Sequence, residues 1–578
     1  MSIPFMFHFQ NGSCQNLDEI PKDFNVFING EEYLCSRWAS SKISNSIKRF
    51  INENQKSPFS QKSERFKINL EDSGDIRLIV SLLCGQPIDF TTNSLTFLMN
   101  AAHSLEMELV LKEVNCIYQR LEYIEEQIDS DDNFSILCSI EKKLFNANNE
   151  IISNIDLIPY EIIDLINSIE IFDVPIIDSD DCFIENPEII KLTDKNHQNR
   201  MQLLSNLILN VLIERIQHID QYFKVLYRIN DILVENGFDP LLPIFCDILL
   251  NKFKQLKPYS DAMAISQELC FIVYKLIEKE GIFKKDISFQ NLPLFFAHLM
   301  NESQLKARLY FDIRDQTETF LTINKKNDFE IHRQFIQKGM NPDEIMTMIR
   351  FDDVSKVQNE AMKTNFDFNA KIQSSIYEQC SFVNSPLTYL EISAFFGSIK
   401  CFKFLLMNGA ELTPNLPKYA IGGGNLEIIH ICDQKECNFK DTLRIALKYH
   451  HHKIFKWLIN TKSLEYWKDL DLIKDCFYFQ NYKSLAVLLK KGIDLSLVLI
   501  ESVKNNNLIL TRFCSSINNN TDKTYMNINT KDEKGKTPLQ IACINNNADI
   551  VTILLEDKNI DINSCIHHDD GKRILFLF

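Results

Sequence analysis

The chain has 578 residues, 45% of them hydrophobic and 24% charged, with a formal charge of −16. That length exceeds what one hydrophobic core serves, so several domains are expected. The acidic balance, with no basic block, argues against phosphate-backbone binding as the main activity. No apolar run approaches the ~18 residues that a membrane span needs.

Glycine (15) and proline (16) are scarce, which favours helices joined by short connections. The 16 cysteines form no Cys-x-x-Cys pair and sit singly in apolar contexts such as Cys84, Cys116, Cys246 and Cys543. There they behave as small hydrophobes, which suits a reducing compartment. The opening "MSIPFMFHFQNGS" has no basic stretch and only a short apolar run, unlike a signal peptide. The expected location is cytoplasmic.

Residues 23–35, "DFNVFINGEEYLC", alternate apolar and polar around Asn29-Gly30 and predict a β-hairpin. A helix follows in "SKISNSIKRF", then a strand at Phe66, Ile68 and Leu70. A second helix stops at Gly85, and two more lie in "NSLTFLMNAAHSLEMELVLKEVNCIYQRL". This order resembles the BTB/POZ fold, the likeness resting on "FNVFINGEEY", "INLED", the helix ending at Gly85 and "LMNAAHSLEM". Ser36 and Ser40 depart from it, standing where the family usually has His and Leu, with Trp38 between them. The resemblance implies self-association, or docking on a cullin ubiquitin ligase as a substrate adaptor.

Residues 121–325 carry amphipathic helices such as "RMQLLSNLILNVLIERIQHIDQYFKVLY" and "LLPIFCDILLNKFKQL", together with a helix-hairpin pattern at residues 153–172. Exposed loops are expected at Asp178 to Asp181 and near Lys191 to His197.

The most regular stretch is "KDEKGKTPLQIACINNNADIVTILLEDKNIDIN", Lys531 to Asn563. Thr537-Pro538 suits a helix start. Leu539, Ala542 and Cys543 form one apolar face, and Ile550, Val551, Leu554 and Leu555 form that of a second helix. Sliding this template upstream finds copies whose small position is filled in turn by Ser393, Ala420, Ala446, Cys476, Ser502 and Ala542. The spacings are 27, 26, 30, 26 and 40 residues, and a weaker first copy places Met348 there. "DDGKRILFLF" restarts the pattern at Gly571. Stacked helices approach closely only where a side chain is small, which unrelated helical hairpins would not reproduce.

Residues 326–578 therefore resemble an ankyrin-repeat array. The run Asn384 to Asn460, through "AFFGSIKCFKFLLMNGAELT", "YAIGGGNLEIIH" and the preceding "MIRFDDV" and "NFDFN", is similar to a degenerate ankyrin family of unassigned function expanded in some protist parasites. Most spacings fall short of the ~33 residues of a full unit, so trimmed turns are expected everywhere except before Thr537. Gln540 stands where the ankyrin tetrapeptide has histidine, which puts the usual hydrogen bond between repeats in doubt there.

His430, Cys432, Cys437 and His450-His451-His452 make the one metal-like cluster in the sequence. Ligands two apart do not share a helix face, and zinc-site intervals are absent. The expectation is no metal and no cofactor, with the histidine triplet in a polar inter-helix loop. "AIGGGNLE" lacks the framing of a phosphate cradle, its glycines being read as the inter-helix turn, and no catalytic signature set occurs.

The fold expected is mainly α: a small BTB/POZ-like α/β domain (1–120), a helical region (121–325) and an ankyrin-type solenoid (326–578). The function expected is a non-enzymatic protein-binding scaffold or adaptor. Its partners are other proteins, with no nucleic acid and no membrane span. Lys531, Asp532, Glu533 and Lys534 are the candidate contact residues.

Overall fold

The computed structural model describes residues 3–5, 22–55, 65–70, 74–86, 88–90, 94–142, 187–235, 239–255, 263–280, 329–363, 366–461, 469–519, 526–562, 566–567 and 573–574. The helix-hairpin pattern at 153–172, the Asp178–Asp181 loop and Gly571 lie outside them. The chain divides into two compact units. The first comprises residues 1–131, 464–473 and 485–578, and the second 132–463 and 474–484.

The first unit opens with β1 (Ile3–Phe5), β2 (Phe24–Ile28) and β3 (Glu31–Cys35). β2 and β3 form the antiparallel hairpin expected at Asn29-Gly30, both turn residues having positive φ. Two helices, α1 (Arg37–Ile43) and α2 (Asn45–Gln55), precede β4 (Arg65–Ile68), which lies parallel to β2 and completes a three-stranded sheet in the order β3-β2-β4. Asn29 ties the hairpin turn to that strand: its N–H donates to the Ile68 carbonyl at 3.0 Å, and its Oδ1 accepts from Leu70 N at 2.7 Å.

Next come α3 (Ile76–Leu83), β5 (Ile88–Phe90, antiparallel to β1), α4 (Leu95–Ser104) and α5 (Glu108–Ser130). Phe24, Val26, Ile28, Ile47, Ile79, Leu82, Leu98 and Val110 form their shared core. Ser36 and Ser40 are absorbed by this packing. Ser36 Oγ accepts from Ala39 N and caps α1, and Ser40 Oγ donates to the Leu83 carbonyl at 2.9 Å, both residues being fully buried. Trp38 stays 44% exposed.

In the second unit, α6 (residues 132–142) is followed by α7 (Pro187–Glu214), α8 (Ile219–Glu235), α9 (Leu241–Gln255) and α10 (Met263–Glu280). Helix α7 takes in residues 191–197, so the loop expected there is a helix. The amphipathic faces of α7 to α10 are core, with Leu204, Ile208, Phe223, Leu226, Phe245, Phe271 and Ile272 buried.

From residue 344 on, the described helices come in short pairs, and the register expected from the small position is reproduced in each. In chain order the pairs are Glu344–Arg350 with Val354–Ala361, Tyr389–Phe395 with Ile399–Met407, Leu416–Gly423 with Leu426–Gln434, Leu443–Lys448 with His452–Thr461, Asp469–Tyr478 with Tyr482–Lys490, Leu495–Lys504 with Leu508–Asn519, and Pro538–Ile544 with Ala548–Leu555. Ser393, Ala420, Ala446, Cys476, Ser502 and Ala542 are all fully buried. Four residues beyond each comes a backbone with positive φ: Gly397, Gly424, His450, Gln480, Asn506 and Asn546, with Asp352 in the same place after Met348.

This is the left-handed residue that ends a helix and turns the chain into its partner. The small residue's carbonyl closes the turn. It accepts the N–H five residues on in six of the seven pairs, as in His451 N to Ala446 O at 3.0 Å and Asn507 N to Ser502 O at 2.8 Å. In the Ala420 pair the bond comes from Gly424 N instead, at 3.1 Å.

The glycines of "AIGGGNLE" are used differently from expectation. Gly422 and Gly423 belong to the Leu416–Gly423 helix, and only Gly424 is the turn. A Cβ on Gly423 would stand 2.3 Å from the Ala394 carbonyl oxygen, so glycine there lets two first helices touch through their backbones. A full turn precedes two first helices. A short β-pair joins Lys371–Ile372 to Leu387–Thr388 just before the Tyr389 helix, as the Asp532 turn does before the Pro538 helix.

Candidate functional site

Helix capping in the array shows what replaces the ankyrin histidine. Thr537 Oγ1 accepts from Gln540 N, and Gln540 Oε1 accepts from Thr537 N at 2.9 Å, a reciprocal capping box. "TYLE" at Thr388 to Glu391 forms the same box, and Glu391 also accepts a hydrogen bond from Thr413 of the next repeat at 2.6 Å. Sequence comparison with "TPLQ" could have found it, since Thr and Glu three apart before an apolar run is a helix-start signal.

Hydrogen bonds between repeats are carried mainly by the turns. Ser398 Oγ donates to Ile349 O (2.6 Å), Asn425 Nδ2 to Gly397 O (3.1 Å), His451 Nε2 to Gly422 O (3.0 Å) and Asn481 Nδ2 to Leu447 O (2.8 Å). These four donors share one register position, five residues after the small one. In the other unit Asn545 Nδ2 reaches Val503 O at 3.4 Å.

The four expected contact residues surround one tight turn. Lys531, Glu533 and Lys534 are exposed on it, whereas Asp532 turns inward. Asp532 Oδ1 accepts from Lys534 N and Lys536 N, at 2.9 and 2.8 Å, and its carboxylate lies 3.8 Å from Lys504 Nζ with 6% of its side chain exposed. Asp532 therefore shapes the turn that displays the other three.

The second unit carries charges on its own interior. Helix α7 ends on Glu214, whose carboxylate lies 3.5 Å from Lys448 Nζ, and the next residue, Arg215, donates to the Tyr449 carbonyl at 2.6 Å. Glu268 of α10 accepts from Ser381 N at 2.8 Å, and burial pushes its carboxyl up to about 7. Gln267 accepts from Asn384 Nδ2 at 2.7 Å. The helices of this region are thus fastened to residues between Ser375 and Tyr449 by polar contacts. Such groups are costly unless paired, so their pairing fixes where the helices lie.

The densest cluster is at the histidine triplet, which the sequence placed in a polar loop. The loop position holds for His450, the left-handed turn residue, but its side chain is buried rather than solvated, and those of His451 and His452 are half-buried. His450 Nε2 lies 2.9 Å from the Phe479 carbonyl, and its Nδ1 is 2.8 Å from Glu141 Oε1. His452 Nε2 lies 3.4 Å from the same oxygen and its Nδ1 3.3 Å from Ser484 Oγ. Glu141 Oε2 accepts from Lys483 N at 2.9 Å, so the carboxylate also caps the Tyr482–Lys490 helix.

Burial dominates the electrostatics of this cluster. It drives His450 far below the usual imidazole range, holds His451 and His452 near 4, and raises Glu141 to about 7. Of the residues first singled out, His430, Cys432 and Cys437 are not in the cluster, and Glu141 was missed. It comes from 309 positions away, and no spacing rule reaches that far.

Two family profiles match the chain. One, described as Domain of unknown function (DUF3447), covers residues 407–488, and the other, Ankyrin repeats (3 copies), covers 473–566. They overlap on the Cys476 pair, and together they span all five small positions from Ala420 to Ala542. No curated protein matches the chain. Among the described residues no helix is long and apolar enough to cross a membrane. The chain is mostly helical, with ankyrin repeats in its C-terminal region, a protein-interaction fold.

Proposed function

We propose that this chain is a non-enzymatic scaffold or adaptor that recognises a protein partner through its ankyrin array. One observation carries the reading. Buried small residues and turn carbonyls hold the repeats in register, which leaves the exposed turns free to vary without disturbing the core. The helices α7 and α10 already cover part of the repeats between residues 375 and 449. The exposed Lys531–Glu533–Lys534 turn is therefore the contact site favoured here.

A photo-crosslinking side chain placed at position 534 of the full chain tests this. One discrete protein adduct is expected, lost when Lys531 is changed to Glu and Glu533 to Lys. An adduct that persists in that variant would sink the assignment.

A second, more specific reading is a BTB-type substrate adaptor for a cullin ubiquitin ligase, with the array selecting the substrate. The parallel pairing of β4 with β2 beside an Asn-Gly hairpin, and the helices that follow, support it. The full chain is offered purified cullins and its mass in solution is measured. A chain that stays monomeric and binds none of them is not such an adaptor.

A further inference from the structure

From the convergence of Glu141, His450 and His452 we infer that the second unit contains a divalent-metal site of the zinc type. Each residue offers one ligand atom, and the three atoms lie within 4.8 Å of one another. Two imidazole nitrogens and a carboxylate oxygen form a donor set suited to zinc. Calcium and magnesium prefer all-oxygen shells.

The surrounding bonds hold each ligand by its far side. His450 must carry its proton on Nε2, because the atom that atom faces, the Phe479 carbonyl, can only accept. That leaves Nδ1 directed at Glu141. His452 is anchored through Nδ1 by Ser484 Oγ, which turns Nε2 inward. Glu141 is held through Oε2 by Lys483 N, which leaves Oε1 between the two rings. Outer bonds of this kind, from ring nitrogen to carbonyl or hydroxyl, orient metal-bound histidines.

Without an ion the arrangement is incomplete. A single proton shared between Glu141 Oε1 and His450 Nδ1 satisfies that pair. It leaves His452 Nε2 buried with no hydrogen-bond partner, although it is 3.4 Å from Glu141. A cation between the three atoms would take the place of the shared proton and engage Nε2 as well. Of the three side chains only that of His452 is partly exposed, at 14%, those of His450 and Glu141 being fully buried. The fold explains why the ligands meet. His450 occupies the left-handed turn of one repeat, Phe479, Lys483 and Ser484 border the turn of the next, and α6 supplies the carboxylate.

The test uses the full chain, stripped with chelator, dialysed against zinc and desalted, with bound metal measured by atomic emission. Cobalt is loaded in parallel for visible absorption. One zinc per chain is expected, with a cobalt spectrum of low coordination number. His452→Ala and Glu141→Gln should each weaken binding by at least about 100-fold, since removing a ligand exceeds the 10- to 100-fold typical of outer-shell changes. His430→Ala should leave binding intact. If Glu141→Gln fails to fold because the Tyr482 helix loses its cap, His452→Ala decides alone, its fold checked by circular dichroism. Zinc well below one per chain, or one zinc per chain retained in folded His452→Ala, overturns the site.

Discussion

At the scale of single residues, the array depends on positions where almost nothing fits. Gly423→Ala would place a methyl against the Ala394 carbonyl, and backbone cannot move aside as a flexible side chain can. A loss of about 2–3 kcal/mol in urea unfolding is expected, in the range of overpacked cores. Ala542→Leu should cost a similar ~2–3 kcal/mol, whereas Thr552→Leu, on the exposed side of the neighbouring helix, should change stability by less than about 0.5 kcal/mol. Equal effects at the two sites would show that the register is misplaced.

The small positions were legible in the sequence because sterics leaves a composition signature at fixed spacing. The turn residues were not. Gly397 and Gly424 advertise positive φ, but His450, Gln480, Asn506 and Asn546 adopt the same backbone with side chains that give little warning. Glu141 was invisible for a different reason: its partners are set by tertiary packing, and a lone Glu in an amphipathic helix reads as surface.

At the scale of elements, capping and buried charge decide which helices hold. Thr388→Ala and Thr537→Ala each remove one side of a capping box, and each should cost about 1 kcal/mol by denaturant unfolding. Thr388→Ala should also loosen the contact of Glu391 with Thr413, so its cost should be the larger of the two. A smaller cost at Thr388 would mean that the bond between repeats contributes nothing.

Glu268 offers a test with a definite sign. Burial raises its carboxyl from 4.5 to about 7, so between those values the folded chain binds more protons than the unfolded one. The stability Glu268 contributes is therefore full below about pH 4.5 and falls as pH rises towards 7. Glu268→Gln keeps an acceptor for Ser381 N and removes the titration. Stability measured from pH 5 to 8 should decline less steeply in this variant, by up to about 3 kcal/mol across the window. An unchanged slope would show that the carboxylate is solvated. The helices themselves were readable from apolar periodicity, but their role in covering the repeats was not. Contacts such as Arg215 with Tyr449 join residues 234 positions apart, each an ordinary polar residue in its own neighbourhood.

At the scale of the molecule, the residues group into two compact units that each draw on separate stretches of the chain. The N-terminal domain is gathered with the last repeats, through contacts such as Lys490 with Asp129 at 2.8 Å, and the helical region with the earlier ones. A repeat pattern read along the chain shows which segments are alike. It does not show which of them other parts of the same chain will cover, because that depends on complementary surfaces far apart in sequence. The proposed function follows from this arrangement, in which part of the array is used internally and the Lys531–Lys534 turn is displayed.

Hydrogen exchange across the array, followed by mass spectrometry on the full chain, tests the account most directly. Seven islands of slow amides are predicted, centred on the turns at Asp352, Gly397, Gly424, His450, Gln480, Asn506 and Asn546, where the turn N–H is bonded to a carbonyl of the preceding helix. The turn at Lys531 to Lys534 should exchange quickly. Fast exchange throughout the turns from Asp352 to Gln480, with protection only in the last two pairs, would contradict the shared register of the seven helix pairs.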